Sequence, residues 1–182
     1  TGYHLRTGHY ILNNLTLPSY DFYSYTCYGK PWVAFSWGND VIFALFDKIG
    51  QINGVVFLAL MLILSFIVIS YLLMVRWKIN LLITIVMLLV ITTITSVHWL
   101  ARPHLFTALF TAIFFYLMEL GKENKKIYFF IPILMLIWTN IHPGFLSGVF
   151  ILTIYLIGNL VEYFIYNKDK VIKENLKYIS CI

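Results

Sequence analysis

The chain has 182 residues, of which 60% are hydrophobic and 12% charged, and its mean hydropathy is +0.82. This composition excludes a soluble globular protein and is typical of an integral membrane protein. Thirteen Lys and Arg against eight Asp and Glu give a net charge of +5, which supplies no reason to expect a nucleic-acid partner. The chain begins at Thr1, without methionine or a signal-like head, so we expect a piece of a longer polytopic protein.

Residues 1–52 differ from the rest because they are rich in Tyr, Trp, Gly and Pro and contain no apolar run long enough to cross a bilayer. They predict an extracytoplasmic loop. Within this loop, Asn39 or Asp40 can cap a short helix over residues 41–48 that ends near Gly50. Its apolar run is too short to span, so we expect this helix to lie at the membrane interface.

Five apolar windows follow in residues 53–166, and each predicts a transmembrane helix. They cover residues 54–75, 79–95, 103–120, 127–142 and 144–166. The fourth is the shortest, and Pro132 lies inside it. Proline removes a backbone donor, so we expect a kinked or partly re-entrant segment there. The predicted fold class is therefore an all-α integral membrane bundle with about five transmembrane helices.

The loops after the first, third and fifth windows carry most of the positive charge, which marks the cytoplasmic side. Nine of the thirteen Lys and Arg lie there, at Arg76, Lys78, Lys122, Lys125, Lys126, Lys168, Lys170, Lys173 and Lys177. This predicts a cytoplasmic basic segment over residues 167–182 and places Cys27 and Cys181 on opposite sides, unable to form a disulfide. Glu119 and Glu162 fall near the cytoplasmic ends, where solvated helix ends are the simplest interpretation.

All five histidines fall on the predicted outer side, as does Asp21, the only acidic residue among the first 38. Asp21 lies in a segment broken into turns by proline and glycine. Its carboxylate could bind a divalent cation or accept a proton. The structural alternative is a turn former that bonds backbone amides two residues further on. The sequence does not decide between these two interpretations.

Arg102 lies between two histidines at the mouth of the second and third predicted helices, and Pro103 is well placed to begin a helix. A planar guanidinium there suits a phosphate or diphosphate headgroup. The alternative is contact with ordinary lipid phosphate or with a carboxylate such as Asp21. His98 and His104 are six residues apart, which is a poor spacing for a helical metal pair.

A polar break separates the fourth and fifth windows, at the run Thr139-Asn140-Ile141-His142-Pro143-Gly144. Asn140 and His142 can present donors and acceptors to whatever the outer rim encloses. Asn140 should lie about one turn below the surface, where a polar side chain needs a partner. Hydrogen bonding between helices and contact with a substrate both remain open for it.

These segments together resemble the GT-C superfamily of polytopic glycosyltransferases, in a bacterial form similar to protein O-mannosyltransferases and lipid A aminoarabinose transferases. The matching residues are His4-Leu5-Arg6-Thr7-Gly8, Pro18, Asp21, Ser24-Tyr25-Thr26, Gly29-Lys30-Pro31-Trp32, Trp37, Ala101-Arg102-Pro103-His104-Leu105-Phe106 and Trp138 through Phe145. The resemblance covers most of the chain. It implies a protein of the bacterial plasma membrane, in contact with lipid.

The resemblance implies transfer of a sugar from a polyprenyl-phosphate carrier to an extracytoplasmic acceptor. It makes Asp21 the candidate general base or ligand of a divalent cation such as Mg²⁺ or Mn²⁺. Arg102 is the candidate phosphate ligand, and the candidate lining residues are His98, His104, Asn140 and His142. Such loops usually begin with an acidic residue, whereas this chain has none before Asp21. We therefore expect part of the catalytic set to lie outside the chain.

Two other classes remain open from the sequence. In a transporter or channel component, the rim histidines and Asn140 would line a path. Transporters usually bind substrates near mid-membrane, however, and none of the five windows has an ionisable residue at that depth. A noncatalytic membrane subunit would require only the helix bundle.

Overall fold

The computed structural model describes residues 1–165 and 170–179, and within them the fold is all-α, as predicted. Seven α-helices are described, joined by loops and short 3-10 turns. They are α1 Gly2–Asn14, α2 Trp37–Arg76, α3 Leu81–Thr95, α4 His104–Glu123, α5 Phe130–Ile141, α6 Leu146–Ile165 and α7 Lys170–Ile179. Of the predicted tail 167–182, only α7 lies in the described part, and Lys168 and Cys181 lie outside it.

Four helical segments are long and apolar enough to cross a membrane, which identifies an integral membrane protein in contact with lipid. They cover Trp37–Arg76, Leu81–His98, His104–Glu123 and Pro143–Ile165. The segment containing α3 is the most exposed, and Thr84 is the only buried residue of α3 itself. An apolar helix with so little protein contact places most of its side chains against lipid.

The fourth predicted window forms a shorter helix than the other four. α5 has 12 residues, or about 18 Å at 1.5 Å per residue, against a hydrocarbon core of about 30 Å. A 3-10 turn, Lys125–Phe129, precedes it. Pro132 does not interrupt α5, because it lies in the first turn, where a missing N–H removes no bond within the helix.

Within the predicted loop over residues 1–52 lies a helix that the sequence analysis does not predict, α1, which occupies Gly2–Asn14 and ends at Leu15 in the left-handed conformation. α1 packs against the first half of α2. A Cβ atom at Gly8 would lie 1.9 Å from the Asp40 carbonyl oxygen, so glycine permits this close approach. Docking therefore stabilises a helix whose own sequence, with glycine, histidine and aromatic residues, has weak helix propensity.

The predicted short helix over residues 41–48 is present, as the first half of α2. This half begins after Ser36, so Asn39 and Asp40 are buried helical residues and do not cap it. The chain bends at Gly50 and Gln51, where Gln51 has a φ of 52°. The bend is sharp enough that a Cβ at Gly54 would lie 2.1 Å from the carbonyl oxygen of residue 46. We call this bend, residues 50–54, the α2 corner.

An aromatic core joins α2, α4, α5 and α6. Its fully buried members include Phe43, Phe114, Met118, Ile131 and Trp138. Lipid tails are as apolar as these side chains, so close packing contributes more to helix association than does removal from water. This core fixes the positions of α4, which begins at His104, and of α5, which carries Asn140 and ends just before His142.

Polar side chains collect at the two ends of the bundle. We call the end that carries His98, His104 and His142 the histidine end, and the end that carries Arg76 and Lys122 the lysine end. α4 connects them, running from His104 to Glu123. Which end faces the cytoplasm remains a prediction from the cation distribution.

Glu119 at the lysine end does not match its predicted role as a solvated helix end, whereas Glu162 is exposed. Glu119 is only 8% exposed. Its Oε1 accepts hydrogen bonds from Tyr155 at 2.6 Å and from Lys122 at 2.7 Å, and its Oε2 accepts one from Trp77 at 3.1 Å. This buried carboxylate therefore accepts from Trp77 just after α2, from Tyr155 on α6 and from Lys122 on α4, so its hydrogen-bonding capacity is satisfied.

Candidate functional site

His142 at the histidine end belongs to a chain of hydrogen bonds between helices. The indole Nε1 of Trp138 donates to Oγ1 of Thr107 over 3.1 Å, and this hydroxyl lies 2.8 Å from Nδ1 of His142. The backbone N–H of Gly144 also donates to Nδ1, over 3.0 Å. A Cβ at Gly144 would lie 2.3 Å from Thr107 Oγ1 and 2.7 Å from Nδ1, so only glycine fits.

These bonds determine the protonation of the His142 ring. An indole N–H can only donate, so the Thr107 hydroxyl accepts from Trp138 and directs its own proton to Nδ1. Two donors thus converge on Nδ1, which must carry a lone pair, and Nε2 carries the proton. Burial lowers the pKa of His142, and the nearby His104 and His4 lower it further. His142 is therefore a neutral side chain that presents an N–H donor.

His98 and His104 come together at the turn between α3 and α4. Nε2 of His104 donates to the backbone carbonyl of His98 over 2.5 Å, and the two rings are 5.9 Å apart, edge to face. This nitrogen is therefore engaged within the turn. The structure joins these two predicted residues locally, by a bond that also closes the turn before α4.

Arg102 lies in the same turn and is exposed. Its guanidinium forms no ion pair or hydrogen bond within the described residues, so the alternative of a contact with Asp21 is not observed. The preceding residue, Ala101, accepts a hydrogen bond from the Thr1 hydroxyl over 2.8 Å. The start of α1 therefore lies beside the Arg102 turn.

Asn140 forms hydrogen bonds within the protein. Its Oδ1 accepts from the Trp37 indole over 3.0 Å, and its Nδ2 donates to the Leu136 carbonyl over 2.7 Å. The backbone at Asn140 is also the closest neighbour of Gly38. These contacts tie α5 to the start of α2, as expected from the interpretation that gives Asn140 a role between helices.

Asp21 shapes its own loop. Its Oδ1 accepts from the backbone N–H groups of Tyr23 and Ser24, at 2.7 and 3.0 Å, and its Oδ2 accepts from the Ser24 hydroxyl at 2.5 Å. These hydrogen bonds from Ser24 and Tyr23 lower the pKa of Asp21. No described contact links this carboxylate to Arg102 or to the histidines. The geometry is that of the turn former considered from the sequence.

The residues present do not fit a bound divalent cation. Both oxygens of Asp21 already accept hydrogen bonds from the loop. Across residues 1–165 and 170–179, no three His, Cys, Asp or Glu side chains are arranged to hold a metal ion. We therefore derive no step through a metal.

A buried pair that the sequence did not predict lies between α1 and α2. Nδ1 of His4 is 2.6 Å from Oδ1 of Asp40, and the side chains are 8% and 2% exposed. Asn39 donates to the same oxygen over 3.1 Å. The signal in the sequence is the polar pair Asn39-Asp40 before an apolar run, a pattern that equally predicts a helix cap. Only the docking of α1 shows its partner.

A mainly apolar groove of about 340 Å³ opens between α2, α3 and α4 at the histidine end. Leu62, Phe66 and Ala108 are among its apolar walls, and His98 and His104 are among its polar ones. Thr107, which bonds to His142, also lines it. The groove therefore combines an apolar wall with polar groups at one end.

The structure brings three of the predicted residues, His98, His104 and His142, to one end of the bundle. It uses Asn140 between helices and Asp21 within a loop, and it leaves Arg102 exposed beside the histidines. No protein-family model, curated protein or solved structure matches this chain.

Proposed function

We propose that the chain is part of a GT-C type glycosyltransferase that moves a sugar from a polyprenyl-phosphate carrier to an acceptor at the histidine end. The observation that carries this proposal is the apolar groove that ends at His98 and His104, beside Arg102, whose guanidinium has no partner among the described residues. The sequence resemblance described above supports the same chemistry. The resulting location is a bacterial plasma membrane with the histidine end outside.

The groove suits one end of a long isoprenoid chain. Its volume of about 340 Å³ is at the small end of the range for ligand pockets, enough for only part of a polyprenyl tail. The exposed apolar side chains of α3 would leave the rest of the tail in the bilayer. A carrier bound in this way would have its phosphate at headgroup height, next to the histidines.

Arg102 is the best candidate for the carrier phosphate. Its five N–H donors are available because no described residue accepts from them, and they match the geometry of a phosphate group. The turn that holds Arg102 is closed by the His104 bond and by the Thr1 contact with Ala101. A fixed turn of this kind would hold the guanidinium where negative charge develops as the phosphate leaves.

The cation distribution supports the proposed orientation. Arg76, Lys122 and Lys125 are all found at the lysine end, where Lys125 bonds Asn175 of α7. Lys and Arg accumulate on the cytoplasmic side of short loops. The histidine end would then face the outer side, where the acceptor is proposed to be.

The test compares Arg102→Ala with Lys30→Ala, which removes an exposed cation from the outer loop. Purified protein is titrated with polyprenyl monophosphate and the complex is counted by native mass spectrometry. Loss of charged hydrogen bonds worth about 1.5–3 kcal/mol should weaken binding by Arg102→Ala roughly 10- to 100-fold, while Lys30→Ala binds like the parent. Equal binding by all three proteins, or no binding by the parent, contradicts the proposal.

A further inference from the structure

His4 and Asp40 form a buried acid–base pair at the start of α1. The ring Nδ1 lies 2.6 Å from the carboxylate, and Asp40 is 1% exposed as a whole residue. An ionised carboxylate only accepts hydrogen bonds, so Nδ1 carries a proton, and in the neutral ring Nε2 carries the lone pair. This is the arrangement in which a carboxylate orients a histidine as a base.

The second ring nitrogen of His4 has no protein partner among the described residues and is not fully buried. Nε2 of His4 makes no hydrogen bond within the described residues. Two fully buried side-chain atoms lack a hydrogen-bond partner among the described residues, Asn39 Oδ1 and Tyr128 OH, and Nε2 of His4 is not one of them. Nε2 is therefore at least partly exposed, in a residue that is 6% exposed as a whole.

The pair lies at the same end of the bundle as the proposed sugar-transfer site. His4 is close enough to His142 to affect its ionisation electrostatically, as is His104. One turn before His4, the Thr1 hydroxyl bonds Ala101, which adjoins Arg102. The proposed phosphate ligand and the pair therefore lie around one region.

His4 and His142 are held in opposite tautomers. The Nδ1 of His4 donates to Asp40, which leaves a lone pair on Nε2, whereas the Nδ1 of His142 accepts from Thr107 and Gly144, which leaves a proton on Nε2. The two rings therefore present opposite groups, an acceptor at His4 and a donor at His142.

A second histidine–aspartate pair, His9 with Asp47, links the same two helices but is more exposed, which allows a comparison with His4 and Asp40. Nε2 of His9 lies 2.7 Å from Asp47, with side chains 33% and 26% exposed. Both pairs link α1 to the first half of α2. The burial of His4 and Asp40 is therefore more than docking demands, and buried ionisable groups are expensive to desolvate.

We propose that His4 is the general base of the transfer reaction and that Asp40 is its positioning residue. The inference rests on the proposed function. The acceptor hydroxyl gives its proton to Nε2 of His4 while its oxygen forms a bond to the anomeric carbon of the sugar. The bond from that carbon to the phosphate oxygen breaks, and polyprenyl phosphate leaves with the electron pair. The imidazolium then returns its proton to water, and Asp40 stabilises the charge in the interval.

The experiment uses membranes that contain the full protein and a panel of tritiated polyprenyl-phosphate hexoses. Transfer is measured as label leaving the lipid-extractable fraction. His4→Gln and Asp40→Asn are compared with His9→Gln and Asp47→Asn, which alter the matched pair. We expect the first two variants to lower the transfer rate about 100-fold or more, and the second two to remain within a few-fold of the parent. Resistance to trypsin verifies that α1 stays docked.

A rescue measurement separates chemistry from folding. His4→Ala should regain transfer when imidazole is added, because the small base can enter the space left by the ring, and His9→Ala should show no response. Equal losses in both pairs, or no rescue of His4→Ala, would overturn the role of His4. If the parent protein itself moves no label and binds no polyprenyl phosphate, the proposed function fails. That result differs from failure of the His4 role alone, in which the parent is active.

Discussion

At the scale of single residues, the clearest chemistry is the assignment of protons at the histidine end. The Trp138 indole, the Thr107 hydroxyl and the Gly144 amide impose one tautomer on His142 without a charged partner. A neutral donor of this type can approach a phosphate without the desolvation cost of a full charge. Thr107 is central because it both accepts and donates.

Replacing Thr107 by valine should destabilise the protein, because it leaves the buried Trp138 N–H and one approach to His142 Nδ1 without partners. The expected loss is about 1–3 kcal/mol, and Thr107→Ser, which keeps the hydroxyl, should lose less than half of that. Denaturation by SDS in mixed micelles measures the difference. If valine and serine give the same midpoint, the hydrogen-bond chain does not contribute to stability.

The sequence identified single polar residues at the rim better than it identified their partners. His98, His104 and His142 were expected at one end and are found there, because helix windows fix axial position. The roles of Asn140 and Asp21 depend on which donors surround them, and hydropathy contains no such information. His4 and Asp40 are 36 residues apart and meet only because α1 docks on α2.

At the scale of helices, the α2 corner separates an end segment from a membrane-spanning segment. Its backbone places Gln51 at a φ of 52°, which costs energy for a residue with a side chain. Gly54 then passes so close to the carbonyl of residue 46 that a methyl group has no room. The close approach is between backbone atoms, so no side chain can move away to relieve a clash.

Gly54→Ala should therefore destabilise the protein by about 1–3 kcal/mol, the usual cost of overpacking. Gly158→Ala in α6 is the matched control, since a Cβ there meets nothing within 4 Å. The control should be neutral or slightly stabilising, because alanine favours helices over glycine. Thermal unfolding in nanodiscs compares the two, and a harmless Gly54→Ala would mean that the corner is looser than described.

Long apolar windows predicted the helices in four places because length and hydropathy are sufficient for them. No apolar window predicts α1, because α1 is stabilised by contact with α2 and not by its own composition. For α5, the window 127–142 included the last three residues of the 3-10 turn Lys125–Phe129, which are not α-helical. Boundaries set by capping and tertiary contact lie beyond what hydropathy can show.

At the scale of the whole molecule, the lysine end is held by the Glu119 carboxylate. It accepts from Tyr155, Lys122 and Trp77, so it links α6 and the end of α2 to α4. Arg76 adds a bond to the Glu119 carbonyl over 3.0 Å. The carboxylate of Glu119 thus has two neutral donors, Tyr155 and Trp77, and one cationic donor, Lys122.

Glu119→Ala should lower stability by about 2 kcal/mol, because the partly buried hydroxyl of Tyr155 loses its acceptor. Glu123→Ala on the same helix is the control: this carboxylate pairs with Arg76 but is 78% exposed. Exposed pairs contribute little, so the control should change stability by less than about 1 kcal/mol. SDS denaturation of both variants measures this, and equal losses would contradict the importance of the buried carboxylate.

The packing around Gly144 leaves no room for a side chain there. Thr107 belongs to α4, and Gly144 lies in the turn that leads into α6, with the imidazole of His142 held between them and no gap for even a methyl group. Any sideways slide of α6 along α4 must therefore turn that ring with it. The position of α6 against α4 and the direction of the His142 N–H are therefore coupled through these contacts.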